Sequence, residues 1–162
     1  SLIRPERADM PYFRLLARDP AALKARTLTD LDIFYNTDGG LSRADREWSA
    51  TVTSRFNGCV YCASVHAARA IEEGGEERDV DTLLADGADA AVDTPVWAGL
   101  RDASVALTRT PMTYGAGTVE QLRKLGLDTT DLLDHLYATA FFNWANRLML
   151  GLGEPEVPAR FR

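Results

Sequence analysis

The sequence is poor in the residues that most often advertise a function. It holds two cysteines and two histidines among 162 residues. Two cysteines cannot staple a chain of this length as a secreted disulfide scaffold, and these two, Cys59 and Cys62, lie only three positions apart. No apolar run approaches the ~20 residues that a membrane-spanning helix needs. No segment alternates apolar and polar residues for long, and no Asn-Gly separates two strand-like runs, so the signals of β-hairpins are missing. Positive charge is in deficit: 18 Lys and Arg against 24 Asp and Glu leave a net charge of −6. That balance argues against a nucleic-acid backbone or an anionic membrane as the main partner. Residues 1–11 mix charges without an apolar core, so they do not read as a secretion signal, and a cytoplasmic location is the expectation. Gly39-Gly40 and Gly115-x-Gly117 lack the spacing and the following Lys-Ser/Thr of a phosphate loop.

What is present reads as one globular domain over residues 1–162, with residues 1–10 as an irregular N-terminal arm. A composition of 46% hydrophobic and 26% charged residues suits a folded chain, and one of this size buries roughly 70% of its unfolded surface. Apolar residues recur every three to four positions, which predicts an all-α fold of about seven helices. Asp19-Pro20 pairs a cap with a proline in the first helical position and opens a helix toward Tyr35. Ser42, with Asp45 three residues on, resembles a capping box. It opens a helix along which Trp48, Val52 and Phe56 repeat, until Asn57-Gly58 breaks it. The next helix starts near Cys59 and stops at Gly74-Gly75; a short one follows over 77–86. Thr94-Pro95 opens another, and Thr118 with Gln121 suggests a further capping box. In the last helix, Leu132, Leu133, Leu136, Tyr137, Ala140, Phe141, Trp144, Ala145, Leu148 and Met149 are expected to share one apolar face, ended by Gly151.

Chemistry concentrates between Asn57 and His66. Both cysteines and one of the two histidines fall within eight residues. On a helix Cys59 and Cys62 are i and i+3, and Cys62 and His66 are i and i+4, so the three lie on one stripe. Cysteines at that spacing can close a disulfide with modest adjustment. The first helical turn carries unpaired N–H groups and partial positive charge, which favours a thiolate. A nearby imidazole favours it further or carries its proton. Glu47 enters by geometry. In one straight helix it would stand about 18 Å from Cys59. The Asn57-Gly58 break instead lets the following helix fold back. Glu47 is ten residues before Asn57 and His66 eight after Gly58, so in an antiparallel pair they come level. Ala50, Thr51 and Ser54 share the stripe of Glu47 and are small enough for close approach. A carboxylate there would set the tautomer or raise the basicity of His66.

The run Glu47, eleven residues, Cys59-x-x-Cys62, three residues, His66 resembles the alkylhydroperoxidase D (AhpD-like) branch of the carboxymuconolactone decarboxylase superfamily. Leu41-Ser42-Arg43, Phe142-Asn143-Trp144-Ala145-Asn146-Arg147 and Gly151-Leu152-Gly153 also resemble its peroxidase-related members. The resemblance implies an all-helical fold assembled as trimers or hexamers. It also implies a peroxidase cycle: Cys62 attacks a hydroperoxide and becomes a sulfenic acid, and Cys59 resolves it as a disulfide. His66 and Glu47 relay the proton, and a dithiol or protein reductant restores the thiols. Familiar members carry His immediately before the second cysteine, where this chain has Tyr61. Decarboxylase members lack the cysteine pair, which disfavours lactone decarboxylation.

Other readings compete. The alternative function is a dithiol–disulfide relay or sensor acting on a protein partner, which the Tyr61 departure motivates. A third is a helical assembly protein with inert, buried cysteines. Zinc is disfavoured because His135 is the only further histidine and no third cysteine exists; neither a metal nor a cofactor is expected. His135 reads as structural, the stripe of Tyr137, Phe141 and Trp144 as core or subunit interface, and the acidic stretch around Glu72-Glu73 and Glu76-Glu77, through Arg78 and Asp79, as a solvated turn.

Overall fold

The structure is a computed structural model, and it describes residues 10–36, 38–153 and 157. Among these there are eight α-helices and no strand. They are α1 (Pro11–Leu16), α2 (Pro20–Tyr35), α3 (Arg43–Asn57), α4 (Val60–Glu72), α5 (Glu77–Asp86), α6 (Pro95–Thr108), α7 (Ala116–Lys124) and α8 (Thr129–Leu152), with a 3₁₀ turn at Gly87–Asp89. The all-helical expectation is met. The additional helix is α1, too short to show a hydrophobic period of its own. The arm expected over residues 1–10 lies, but for Met10, outside the described residues.

The cap signals act as read. Asp19 accepts from the Ala22 N–H at 3.0 Å. Ser42 accepts from the Asp45 N–H at 3.2 Å and donates to the Asp45 carboxylate at 2.6 Å. Gly58 takes φ 78°, the left-handed conformation that ends α3. At the Thr118 signal the structure differs. The helix starts earlier, capped at Gly115, and Thr118 sits in its first turn with its hydroxyl accepting from the Gly115 N–H at 3.4 Å. The last helix likewise runs past Gly151 to Leu152.

Helix α3 is the axle of the fold. Every residue from Arg46 to Ser54 is buried, so it is covered on all sides rather than along one stripe. Its hydroxyls are spent on its own backbone: Thr51 donates to the Glu47 carbonyl at 2.8 Å and Thr53 to the Ser49 carbonyl at 2.8 Å. One core gathers around Trp48 and Trp97, whose rings stack at 4.3 Å. The Trp97 indole donates to Asp45 at 2.7 Å and that of Trp48 to the Trp97 carbonyl at 2.9 Å, so both polar edges are paired. A second core holds Tyr12, Phe13, Phe34, Cys59, Cys62, Phe142 and Met149.

Three expectations are corrected. The buried face of α8 is not the one read from its apolar residues. It consists of Leu132, His135, Ala138, Thr139, Phe142, Ala145, Asn146 and Met149, while Leu133, Tyr137 and Trp144 are exposed. The polar members are paid for by partners across the core, such as Asn146 donating to Ser54 Oγ at 3.1 Å. Phe56, expected in line with Trp48 and Val52, is exposed at the end of α3. Asp79, expected in a solvated turn, is buried and accepts the Asp93 and Thr94 N–H groups at 2.9 and 3.0 Å, holding down the entry to α6.

Candidate active site

The α3–α4 corner creates the site. Past left-handed Gly58, the Cys59 N–H turns back to the Ser54 carbonyl at 2.9 Å, and Cys59 becomes the N-cap residue of α4. The corner is pinned to α8 by Asn57, whose amide donates to Asn143 Oδ1 and Asn146 Oδ1, each at 3.1 Å. Cys62 then falls in the first turn of α4, among backbone N–H groups that lack helical partners, a position that favours negative charge on sulfur. Both cysteines are buried.

The fold-back brings Glu47 and His66 together as the spacing implies. His66 Nδ1 meets Glu47 Oε2 in a short contact, with the carboxylate wholly buried. An ionised Glu47 holds the proton on Nδ1 and leaves Nε2 as the basic nitrogen. Glu47 Oε1 faces two guanidinium groups, Arg43 Nη2 at 3.4 Å and Arg69 Nη1 at 4.0 Å. Arg43 is shared with Glu73 at 2.7 Å. The buried carboxylate is therefore paired on both oxygens, as a charge taken out of water must be. Phe142 meets the His66 ring edge-on at 4.1 Å, and Phe34 lies against it at 5.4 Å.

Cys62 and His66 open onto one narrow cavity of about 50 Å³, with Tyr12, Arg26, Tyr61 and Met149 among its lining. Cys59 does not line it. It lines a different cavity of about 340 Å³, with Arg55, Val60, Ser64 and Leu84. The thioether of Met149 lies 3.5 Å from Cys62 Sγ and 3.8 Å from Cys59 Sγ. Tyr61 directs its hydroxyl to Met10 Sδ at 3.7 Å.

All four residues singled out in the sequence, Cys59, Cys62, His66 and Glu47, are thus in one neighbourhood. Sequence reasoning missed Tyr12 and Arg26, which arrive from α1 and α2 with no spacing to tie them to the cysteines. His135 lies apart: wholly buried, its Nδ1 is 3.2 Å from Ser49 Oγ, and burial holds its pKa down at about 4. Among the described residues no three His, Cys, Asp or Glu side chains are grouped as a metal centre requires. No helix among them is long and apolar enough to cross a membrane.

A helical domain with a cysteine pair at a helix start, backed by a His–Glu couple, defines a dithiol-bearing class of all-α protein. The model of the carboxymuconolactone decarboxylase family matches residues 20–104, and the chain belongs to that family, in its AhpD-like part. Among solved structures it is similar to an AhpD-core, peroxidase-related protein from Ralstonia eutropha JMP134, at 26% identity and a TM-score of 0.79, over 92% of this chain and 77% of that one. A peroxidase-related protein from Silicibacter sp. TM1040 aligns at 23% identity and a TM-score of 0.76, over 100% and 93%. The debrominase Bmp8 shares the fold at 12% identity and a TM-score of 0.78, over 99% and 92%. No curated protein matches the sequence.

Proposed function

We propose that the protein is a thiol-dependent peroxidase that reduces organic or small hydroperoxides through Cys62 and Cys59. The observation that carries this reading is the cavity shared by Cys62 and His66, with His66 held from behind by buried Glu47. The Cys62 thiol gives its proton to His66 Nε2, and Glu47 stabilises the imidazolium. The thiolate attacks the outer peroxide oxygen; the S–O bond forms as the O–O bond breaks, leaving a sulfenic acid and an alcohol. Cys59 then displaces water from that sulfur to give the disulfide. An external dithiol returns both cysteines to thiols and leaves as its own disulfide. The peroxidase-related structures noted above support the class of reaction. Exposed Leu133, Tyr137 and Trp144 support assembly into a homo-oligomer, which the family resemblance makes a trimer or hexamer. A cytoplasmic setting, where thiols are kept reduced, suits a cysteine pair that must be returned to thiols after each turnover.

A free-thiol count on reduced protein, before and after one equivalent of cumene hydroperoxide, tests the reading. Loss of both thiols within seconds is expected, and Cys62→Ser should abolish turnover. Retention of both thiols would overturn it.

The second reading is a dithiol relay serving a protein partner. It is favoured by the wider cavity on Cys59, away from the one at Cys62. It predicts fast exchange with a protein disulfide, trapped as a mixed disulfide in Cys62→Ser or Cys59→Ser, with negligible peroxide consumption.

A further inference from the structure

The cavity at Cys62 is lined by a tyrosine that the scheme above leaves idle. Tyr12, from α1, is 3% exposed, and among the described residues its buried phenolic oxygen makes no well-formed hydrogen bond. A buried phenol ordinarily finds a partner, because leaving it unpaired forfeits its hydration. Burial raises its pKa; Arg26 opposes that, and Cys62 and Asp30 reinforce it, so these are the ionisable groups that bear on its hydroxyl. Arg26 stands beside it, reaching Asp30 through Nη2 at 3.3 Å, while its own buried Nε–H has no partner among the described residues. Two residues that line one cavity with Cys62 thus carry buried polar groups with hydrogen-bonding capacity to spare.

The proposed chemistry has a need that matches. When the O–O bond breaks, the departing oxygen is an alkoxide, a strong base that requires a proton. His66 takes up the thiol proton. Asp30 is paired with Arg26, and the Tyr61 hydroxyl turns to Met10. Tyr12 is the remaining phenol of the cavity.

We propose that Tyr12 is a further catalytic residue: its hydroxyl receives the oxidant and donates the proton that the departing alkoxide takes. The inference rests on the peroxidase reading. The bonds balance as follows. Cys62 S⁻ and the hydroperoxide give Cys62–SOH and an alkoxide; Tyr12 O–H protonates the alkoxide; the phenolate, facing Arg26, regains a proton from the His66 imidazolium. The sum is thiol plus hydroperoxide giving sulfenic acid plus alcohol. Arg26 acts through Tyr12 as a positioning residue.

The test compares two oxidants in single-turnover kinetics of wild type and Tyr12→Phe. Cumene hydroperoxide leaves as an alkoxide and needs the proton; peracetic acid leaves as a carboxylate and does not. Tyr12→Phe should slow the first at least about 100-fold and the second less than about threefold, the span general-acid loss usually covers. Equal slowing of both oxidants would mean that Tyr12 only shapes the cavity and would overturn the proposal. So would wild-type rates with both, or the selective loss appearing in Tyr61→Phe instead. A wild-type protein that consumes neither oxidant would remove the peroxidase reading and this role with it. If Tyr12→Phe fails to fold, a ring-fluorinated tyrosine at position 12 keeps ring and hydroxyl. The alkaline limb of its cumene hydroperoxide pH profile should then move to lower pH, and an unmoved limb would count against the role.

Discussion

Met149 holds its sulfur 3.5 Å from Cys62 Sγ, although the two residues are 87 positions apart. The last helix thereby covers the pair that opens α4. Met149 is 3% exposed. Truncating it with Met149→Ala should cost about 2–4 kcal/mol through the void left in the core. It should also speed alkylation of Cys62 in the folded protein, read by mass spectrometry of iodoacetamide-treated samples. An unchanged labelling rate would show that Met149 does not cover the thiol.

Glu47 is the second lever. Its carboxylate is wholly buried and faces His66, Arg43 and Arg69. Glu47→Gln keeps the shape and removes the charge that pairs with them. Thiol oxidation by hydroperoxide should slow by about 10²- to 10⁴-fold, the range over which a positioned base contributes. Stability should fall by about 3 kcal/mol, because cations are left without their buried partner. Urea titration reads the stability and stopped-flow mixing reads the rate; an unaltered rate would exclude Glu47 from the relay.

His135 sets an acid limit on the fold. It is neutral when buried, with a pKa held down at about 4 from the usual 6.5. The unfolded chain binds a proton there below about 6.5, so stability rises with pH across that window and is lost as pH falls from about 6.5 toward 4. By pH 4 the loss relative to neutral pH is about 3 kcal/mol. Ser49 Oγ donates to the Asp45 carbonyl at 3.0 Å and is free to accept from His135 Nδ1. His135→Gln should therefore flatten the fall of Tm between pH 6.5 and 4; an identical slope would assign the acid sensitivity elsewhere.

The outer face of α8 gives the fourth prediction. Tyr137 and Trp144 are 58% and 46% exposed. If they lie between copies of the chain, the double variant Tyr137→Asp with Trp144→Asp should lower the mass in sedimentation velocity while leaving helicity intact. An unchanged mass would place the interface on another face.

The sequence carried the site better than it carried the last helix. Caps and breakers lie within a few residues of what they control, so Asp19, Ser42 and Gly58 could be placed before any tertiary contact was known. The fold-back pairing of Glu47 with His66 followed from counting outward from Gly58. The face of α8 did not follow, because its apolar residues cover more than one side. Partners distant in sequence decide which side turns inward: His135 goes to Ser49, Asn146 to Ser54 and Asn143 to Thr108, at 3.2, 3.1 and 3.0 Å. Asp79 was misjudged for the same reason, its partners lying 14 and 15 residues onward. Tyr12 and Arg26 belong to the cavity only through packing.

The two sulfurs line cavities that have no lining residue in common. If the pair turns over as proposed, it would work as a two-port conductor: electrons would enter at one sulfur and leave at the other, and the molecules that supply and accept them would never need to occupy the same space. Donor and acceptor would then show ping-pong kinetics without mutual competition, and each port could change its clientele in evolution without disturbing the other.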